Sequence, residues 1–267
     1  MPVSSINILN TFKKALSKTP ETAAFSKSFL DWIDARREDW NNDKIRVGVI
    51  GVTSSGKSTV INAILGADIL SSAVTPSTGQ LVSCTFGESL QAIVYFENGK
   101  QKVFTGTSLC PDNLKRYTDE TYNLRNKEKV VKIELTSPHF ALDKDVMLVD
   151  SPGLDAYGLE SHEKLTLESL VPTIDACVYV VTMKASSDQK TKEVLDVINR
   201  YSCPIIIVQN KLDSVLPSVD GKKSKAQVAE EHRNRVKRIV DRSEIKNKGS
   251  VSIIQMSAKD AKDGSGI

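Results

Sequence analysis

The sequence predicts a three-layer α/β fold: helices on both faces of an enlarged, mostly parallel sheet, with a ligand at the carboxyl ends of the strands. Three observations predict it. An apolar run, Ile45-Arg46-Val47-Gly48-Val49-Ile50, leads directly into Gly51-Val52-Thr53-Ser54-Ser55-Gly56-Lys57-Ser58, a complete phosphate-loop pattern with a helix over 59–65 behind it. A second run, Val146-Met147-Leu148-Val149, ends in Asp150-Ser151-Pro152-Gly153. A third, Pro204-Ile205-Ile206-Ile207-Val208-Gln209, delivers Asn210-Lys211-Leu212-Asp213. Unbroken apolar runs of this kind belong to strands buried on both faces.

Each motif carries a distinct chemistry. A strand, a glycine turn and a helix N-terminus point successive N–H groups, from Gly51 through Ser55, Gly56 and Thr59, at one spot suited to a polyphosphate. Lys57 reaches the β- and γ-phosphates, and the Ser58 hydroxyl is a Mg²⁺ ligand. Asp150 can hold Mg²⁺ through water, and the Gly153 N–H can meet the γ-phosphate. Asp213 accepts both the ring N1–H and the exocyclic amine of guanine, a donor pair adenine lacks; a polar group left unpaired by the wrong base makes such discrimination large. Asn210 reads the opposite edge and the Lys211 stem lies over the ring. A strand over 251–256 then leads to Ser257-Ala258-Lys259, whose Ala258 amide is placed for the guanine O6. The expected ligands are therefore GTP or GDP with Mg²⁺.

With these residues, and with Gly56-Lys57-Ser58-Thr59-Val60-Ile61-Asn62-Ala63-Ile64-Leu65-Gly66 and Ala73-Val74-Thr75-Pro76-Ser77-Thr78-Gly79, the chain resembles the translation-factor-related GTP-binding proteins and, within them, the dynamin superfamily. The resemblance runs from about residue 44 to the end and implies a P-loop GTPase fold. The N-terminal stretch is similar to bacterial dynamin-like proteins linked to toxin secretion. In this family a switch threonine closes over the γ-phosphate and serves Mg²⁺; Thr75 matches it, and Thr78 is the alternative. Ras-like enzymes place a glutamine after Asp-x-x-Gly to orient water, whereas this chain has Leu154. Dynamin-like enzymes are similar in lacking it. Their phosphate-loop serine corresponds to Ser54, but Thr53 stands where eukaryotic members carry glutamine. The resemblance thus implies Thr75, Ser54 and Lys57 as catalytic residues, Ser58, Thr75 and Asp150 around Mg²⁺, and a homodimer through the GTPase face. Asp188 resembles part of a loop that crosses that dimer; a solvated helix cap is the other reading.

Composition is compatible with a single unit of this kind. Of 267 residues, 40% are hydrophobic, enough for a full core, and 36 basic against 33 acidic residues are too balanced to imply a nucleic-acid partner. No apolar run approaches the length of a membrane span, and the N-terminus has no signal-peptide core. Cys84, Cys110, Cys177 and Cys203 lack metal-type spacing and read as reduced thiols of a cytoplasmic protein. His139 and His162 sit near no motif, and His232 falls on the apolar stripe of Val228, Val236, Ile239 and Val240, as a core histidine would.

Two domains are expected, 1–43 and 44–267. In the first, Ile8, Leu9, Phe12, Ala15 and Leu16 form one helical stripe; Pro20 breaks it, and Phe25, Phe29, Trp32, Ile33 and Trp40 form a second. These helices either pack on the GTPase core or join a helical bundle that transmits its motion. Seventy-five positions separate Thr75 from Asp150. Strands over 80–86, 91–96 and 130–135, a hairpin turn at Asn98-Gly99 and a helical or irregular stretch over 108–127 fill that insertion and enlarge the sheet. Residues 222–248 read as a helix with a basic outer face, either solvated or facing a membrane or partner. The ending Gly264-Ser265-Gly266-Ile267 predicts a chain cut before the fold's closing helix, with membrane contact through regions outside it. The expected role is a GTPase coupling nucleotide state to membrane remodelling or secretion, in the cytoplasm or peripheral to a membrane. A ribosome-assembly-type small GTPase and a binding switch that hydrolyses little are the alternatives.

Overall fold

The computed structural model describes residues 44–71, 81–119, 121–154, 165–183, 188–201, 203–245 and 251–262, together with Thr11 and Lys14, both helical and exposed. The N-terminal stripes, Thr75, Thr78 and the chain end lie outside the described residues.

Nine strands form one sheet in the order β4-β3-β5-β2-β6-β1-β7-β8-β9. They are β1 Ile45–Gly51, β2 Val82–Phe86, β3 Gln91–Phe96, β4 Gln101–Thr105, β5 Val130–Ser137, β6 Val146–Asp150, β7 Ala176–Thr182, β8 Ile205–Asn210 and β9 Ser252–Gln255. The half β6-β1-β7-β8-β9 is wholly parallel. The insertion builds the other half: β2 runs antiparallel to β6 and parallel to β5, and β3 is antiparallel to both β5 and β4. The sheet is thus mixed, with its antiparallel pairs confined to the insertion and its junction with β6. At the tip of the β3–β4 hairpin Gly99 adopts a left-handed φ of 76°, and the Asn98 Oδ1 accepts the Lys100 N–H at 3.0 Å, as an Asn-Gly turn predicts.

Alternation along the parallel strands splits the core in two. Val49, Val180 and Val208 face one side, where Val60, Ile61 and Leu65 of α1 (Lys57–Leu65) cover them. Ile50, Tyr179 and Ile207 face the other, beneath Val194, Leu195 and Ile198 of α3 (Asp188–Arg200) and Val236, Ile239 and Val240 of α4 (Lys225–Arg242). Each such aliphatic side chain contributes roughly 1.5–3 kcal/mol by leaving water. Of the remaining helices, α2 (Pro111–Thr118) lies in the insertion and α5 (Ala258–Lys262) follows β9. A Ser224 cap with Gln227 starts α4 through a capping box. Among the described residues no helix is long and apolar enough to cross a membrane.

Candidate guanine-nucleotide site

The strand order sets the layout of the site. Phosphate-loop and Asp-x-x-Gly motifs leave the carboxyl ends of neighbouring β1 and β6, whereas the motifs expected to read the base leave β8 and β9. One strand, β7, separates the two pairs, so β1 and β8 end about 10 Å apart, a span suited to a nucleotide laid across the sheet rim.

At the phosphate end, α1 starts at Lys57 rather than at 59, because Gly56 caps it in the left-handed region with φ 91°. Ser58 and Thr59 therefore sit in the first helical turn with the loop amides beside them. Lys57 is only 7% exposed, and its ammonium donates to the carbonyls of Gly51 at 3.0 Å and Val52 at 3.1 Å, folding back over the loop. Ser58 Oγ donates to the Asp150 Oδ2 at 3.3 Å, so the two expected Mg²⁺ residues meet. Both are buried. Ser55 is fully buried, and its Oγ has no hydrogen-bond partner among the described residues. Gly153 packs so close to the loop that a Cβ there would lie 2.4 Å from the Thr53 Oγ1. Leu154 follows: its N–H donates to the Gly51 carbonyl at 3.3 Å, while its side chain, 1% exposed, is part of the core under α3 and α4. The position that orients water in Ras-like enzymes is thus a packing residue here.

At the base end, Asn210 is buried and bonded at both amide atoms. Its Nδ2 donates to the Ser55 carbonyl at 3.1 Å, and its Oδ1 accepts the Ala258 N–H at 2.9 Å. One side chain therefore ties the phosphate loop to the Ser-Ala-Lys turn. A Cβ on Gly56 would sit 2.3 Å from that Nδ2, so the glycine is needed for the approach as well as for its φ. Lys211 Nζ donates to the Ser54 carbonyl at 2.7 Å. Both of these residues adopt left-handed backbone, φ 68° at Lys211 and 59° at Ser54, and non-glycine residues held in that region cluster at ligand sites. Asp213, in the short helical turn Leu212–Ser214, is exposed, and Lys259 is exposed as well. Ser257 Oγ accepts the Asp260 N–H at 3.1 Å and so shapes the turn into α5. Behind this loop a cavity of about 790 Å³ opens between Asp213, Met256 and Ser257 and the start of α4.

The Ala258 amide, expected to face the guanine O6, donates to the Asn210 Oδ1. Sequence reasoning also missed the bracing role of Asn210, which depends on three segments far apart in the chain. Asp188 heads α3 and pairs with Arg235 of α4 at 2.8 Å. His232 is half-buried, and burial together with the nearby Arg235 lowers its pKa from the usual histidine range.

Residues 47–212 match the dynamin family. An uncharacterised protein from the xynA 3′ region of Caldicellulosiruptor sp. is 29% identical over 216 residues, which are 81% of this chain and 49% of that protein. Dynamin-like protein 2 of Campylobacter jejuni is 27% identical over 235 residues, 78% of this chain and 36% of its own. The chain thus spans about half the length, or less, of these curated relatives. A solved structure described as an oligomerised bacterial dynamin pair, providing a mechanism for long-range sensing and tethering of membranes, shares the fold with a TM-score of 0.58 at 20% identity, over 97% of this chain and 46% of that one. With the family match covering more than half of its residues and the nucleotide motifs gathered on one rim of the sheet, the chain belongs to the dynamin family and carries its GTPase domain.

Proposed function

We propose that this chain binds GTP and GDP together with Mg²⁺ and hydrolyses GTP, and that the whole protein couples this cycle to membrane remodelling as a homodimer formed through the GTPase face. The observation that carries the reading is the Asn210 side chain, bonded to Ser55 of the phosphate loop and to Ala258 of the base-side turn. In this reading residues 1–43 form a helical appendage and 44–267 the GTPase domain. The phosphates lie on the N–H groups of Gly51 to Thr59, with Lys57 leaving its two carbonyls to meet them. Asp213 reads guanine, the second Nδ2 proton of Asn210 reaches the opposite base edge, and the Ala258 N–H is shared with O6 or replaced by that of Lys259.

A hydroxyl and a carboxylate in contact, Ser58 and Asp150, fit Mg²⁺, which takes few protein oxygens and completes its shell with phosphate and water. When bound, the ion would neutralise charge on the transferring phosphate. Thr75 completes that set and positions water, with Ser54 supporting the bridging region between the β- and γ-phosphates. Membrane coupling is supported by kinship: the bacterial dynamin pair of similar fold is described as tethering membranes.

The burial of Leu154 favours a second reading, a guanine-nucleotide switch that turns over little. Steady-state GTP hydrolysis by the full-length protein, across protein concentration and with or without liposomes, separates the two. The enzyme reading requires turnover per molecule that rises with concentration, loss of nucleotide binding in Lys57→Ala, and a fall of about tenfold or more in Thr75→Ala with binding kept. Equal turnover in wild type and Thr75→Ala moves the role to Thr78. No turnover under any condition leaves the switch.

A further inference from the structure

We propose that Gln255 is a positioning residue that fixes the turn carrying Asp213 against α4 and so sets how sharply the site discriminates guanine. This rests on the reading above that Asp213 meets the exocyclic amine of the base.

Two glutamine side chains meet at the carboxyl ends of β8 and β9, where the base-side motifs leave the sheet. Gln209 immediately precedes Asn210 and is 1% exposed, and Gln255 lies beside it in the parallel register of the two strands. A buried amide is costly unless it is bonded. Both protons of the Gln255 amide are used: Nε2 donates to the Gln209 Oε1 at 3.0 Å and to the Ala229 carbonyl of α4 at 2.7 Å. Gln209 Nε2 donates to the His232 carbonyl, one turn further along the same helix, at 3.1 Å. Gln255 thus holds α4 directly, and it orients the neighbouring amide that holds the helix a second time.

The base-side turns hang from the same strand end. The Met256 N–H donates to the Gln209 carbonyl at 3.0 Å, and the Met256 carbonyl accepts the Leu212 N–H at 3.1 Å. Asp213 follows Leu212, and Ser257 follows Met256. Leu212 also packs with Met183 and Val215 against Ala229, the residue whose carbonyl Gln255 holds. Beyond these contacts the cavity of about 790 Å³ is lined by Asp213, Ala229 and Gln255, so open space rather than packed side chains borders the turn on that side. The place of Asp213 relative to α4 therefore depends on the Gln255 bonds and the Leu212 contact.

A displaced Asp213 loses its hold on the exocyclic amine, which GDP has and IDP lacks. A disturbance that travels instead through Gln209 and Asn210 to the phosphate loop weakens both nucleotides alike. The ratio of the two affinities isolates the positioning of Asp213.

Two variants of the full-length protein test this. Gln255→Leu keeps the bulk and removes the donor, whereas Gln255→Glu keeps the shape and turns an acceptor toward the Gln209 Oε1 and the Ala229 carbonyl. Affinities for GDP and IDP and melting temperatures are measured for wild type, both variants, Asp213→Ala and the double variant Asp213→Ala/Gln255→Leu. The proposal requires the GDP-to-IDP affinity ratio to fall about fivefold or more in each Gln255 variant, and Gln255→Leu to leave the ratio unchanged once Asp213 is alanine. A lowered melting temperature with the wild-type ratio kept, or a further fall in the ratio on the Asp213→Ala background, overturns it. Should Gln255→Glu fail to fold, the Gln255→Leu ratio alone decides. A wild type that does not distinguish GDP from IDP would refute Asp213 as the base reader, and this proposal with it.

Discussion

The amide nitrogen of Asn210 lies 3.1 Å from the carbonyl oxygen of Ser55, across 155 positions of sequence. Both partners are buried, and the same side chain accepts the Ala258 N–H, so the phosphate-loop motif and the Ser-Ala-Lys turn are one hydrogen-bonded unit.

Removing that unit should be felt at both ends. Asn210→Ala leaves a buried carbonyl and a buried N–H unpaired, at about 1–3 kcal/mol each. The expected outcome is a melting temperature lowered by several degrees and a loss of most of the shift that GDP gives to wild type, measured by thermal denaturation with and without GDP. An unchanged shift would mean that the brace is irrelevant to binding.

Leu154 offers a sharper test of the water-positioning argument. Were the chain merely a Ras-like enzyme lacking its glutamine, Leu154→Gln would accelerate hydrolysis. Because the side chain is buried among Ile50, Val149 and Tyr179, the substitution instead buries an amide without partners. The prediction is destabilisation of about 1–3 kcal/mol with no gain in kcat. Chemical denaturation and single-turnover hydrolysis check the two halves separately.

The cysteines give a pH-dependent prediction. Burial pushes the Cys84 and Cys177 thiols well above their usual range, with Asp150 adding to the effect at Cys84 and Cys203 at Cys177. Burial, with Asp175 nearby, pushes Cys203 up to about 12. Since the thiolate is the nucleophile, a raised pKa keeps these groups protonated throughout the neutral range, and they become reactive only as pH rises toward those values. Alkylation of the folded protein at pH 8 should therefore modify the half-exposed Cys110 first and the other three only on unfolding; mass spectrometry of the labelled protein reads the sites.

Much of this was legible in the sequence, and the boundary is physical. Buried parallel strands read as apolar runs, so β1, β6 and β8 and the motifs at their ends could be placed from local pattern alone. Strand direction is not encoded that way: nothing in Val82-Ser83-Cys84-Thr85-Phe86 says that it runs antiparallel to β6 and parallel to β5. The early start of α1 at Lys57 follows from the left-handed cap at Gly56, a backbone property invisible to periodicity. The bonds that unify the site, Asn210 to Ser55 and Ala258 and Lys211 to Ser54, join distant segments and appear only once the strands are in order.

Titration of wild type and Asp213→Asn with fluorescent GDP, XDP and ADP asks whether this rim of the sheet reads guanine. An amide at position 213 can donate where the carboxylate could only accept. Wild type should prefer GDP over ADP by a factor of about 10⁴ or more, as a site built on a specific hydrogen-bond pair does, and Asp213→Asn should turn its preference to XDP. Comparable affinity of the wild type for GDP and ADP, or an Asp213→Asn variant that still prefers GDP, would contradict the guanine reading.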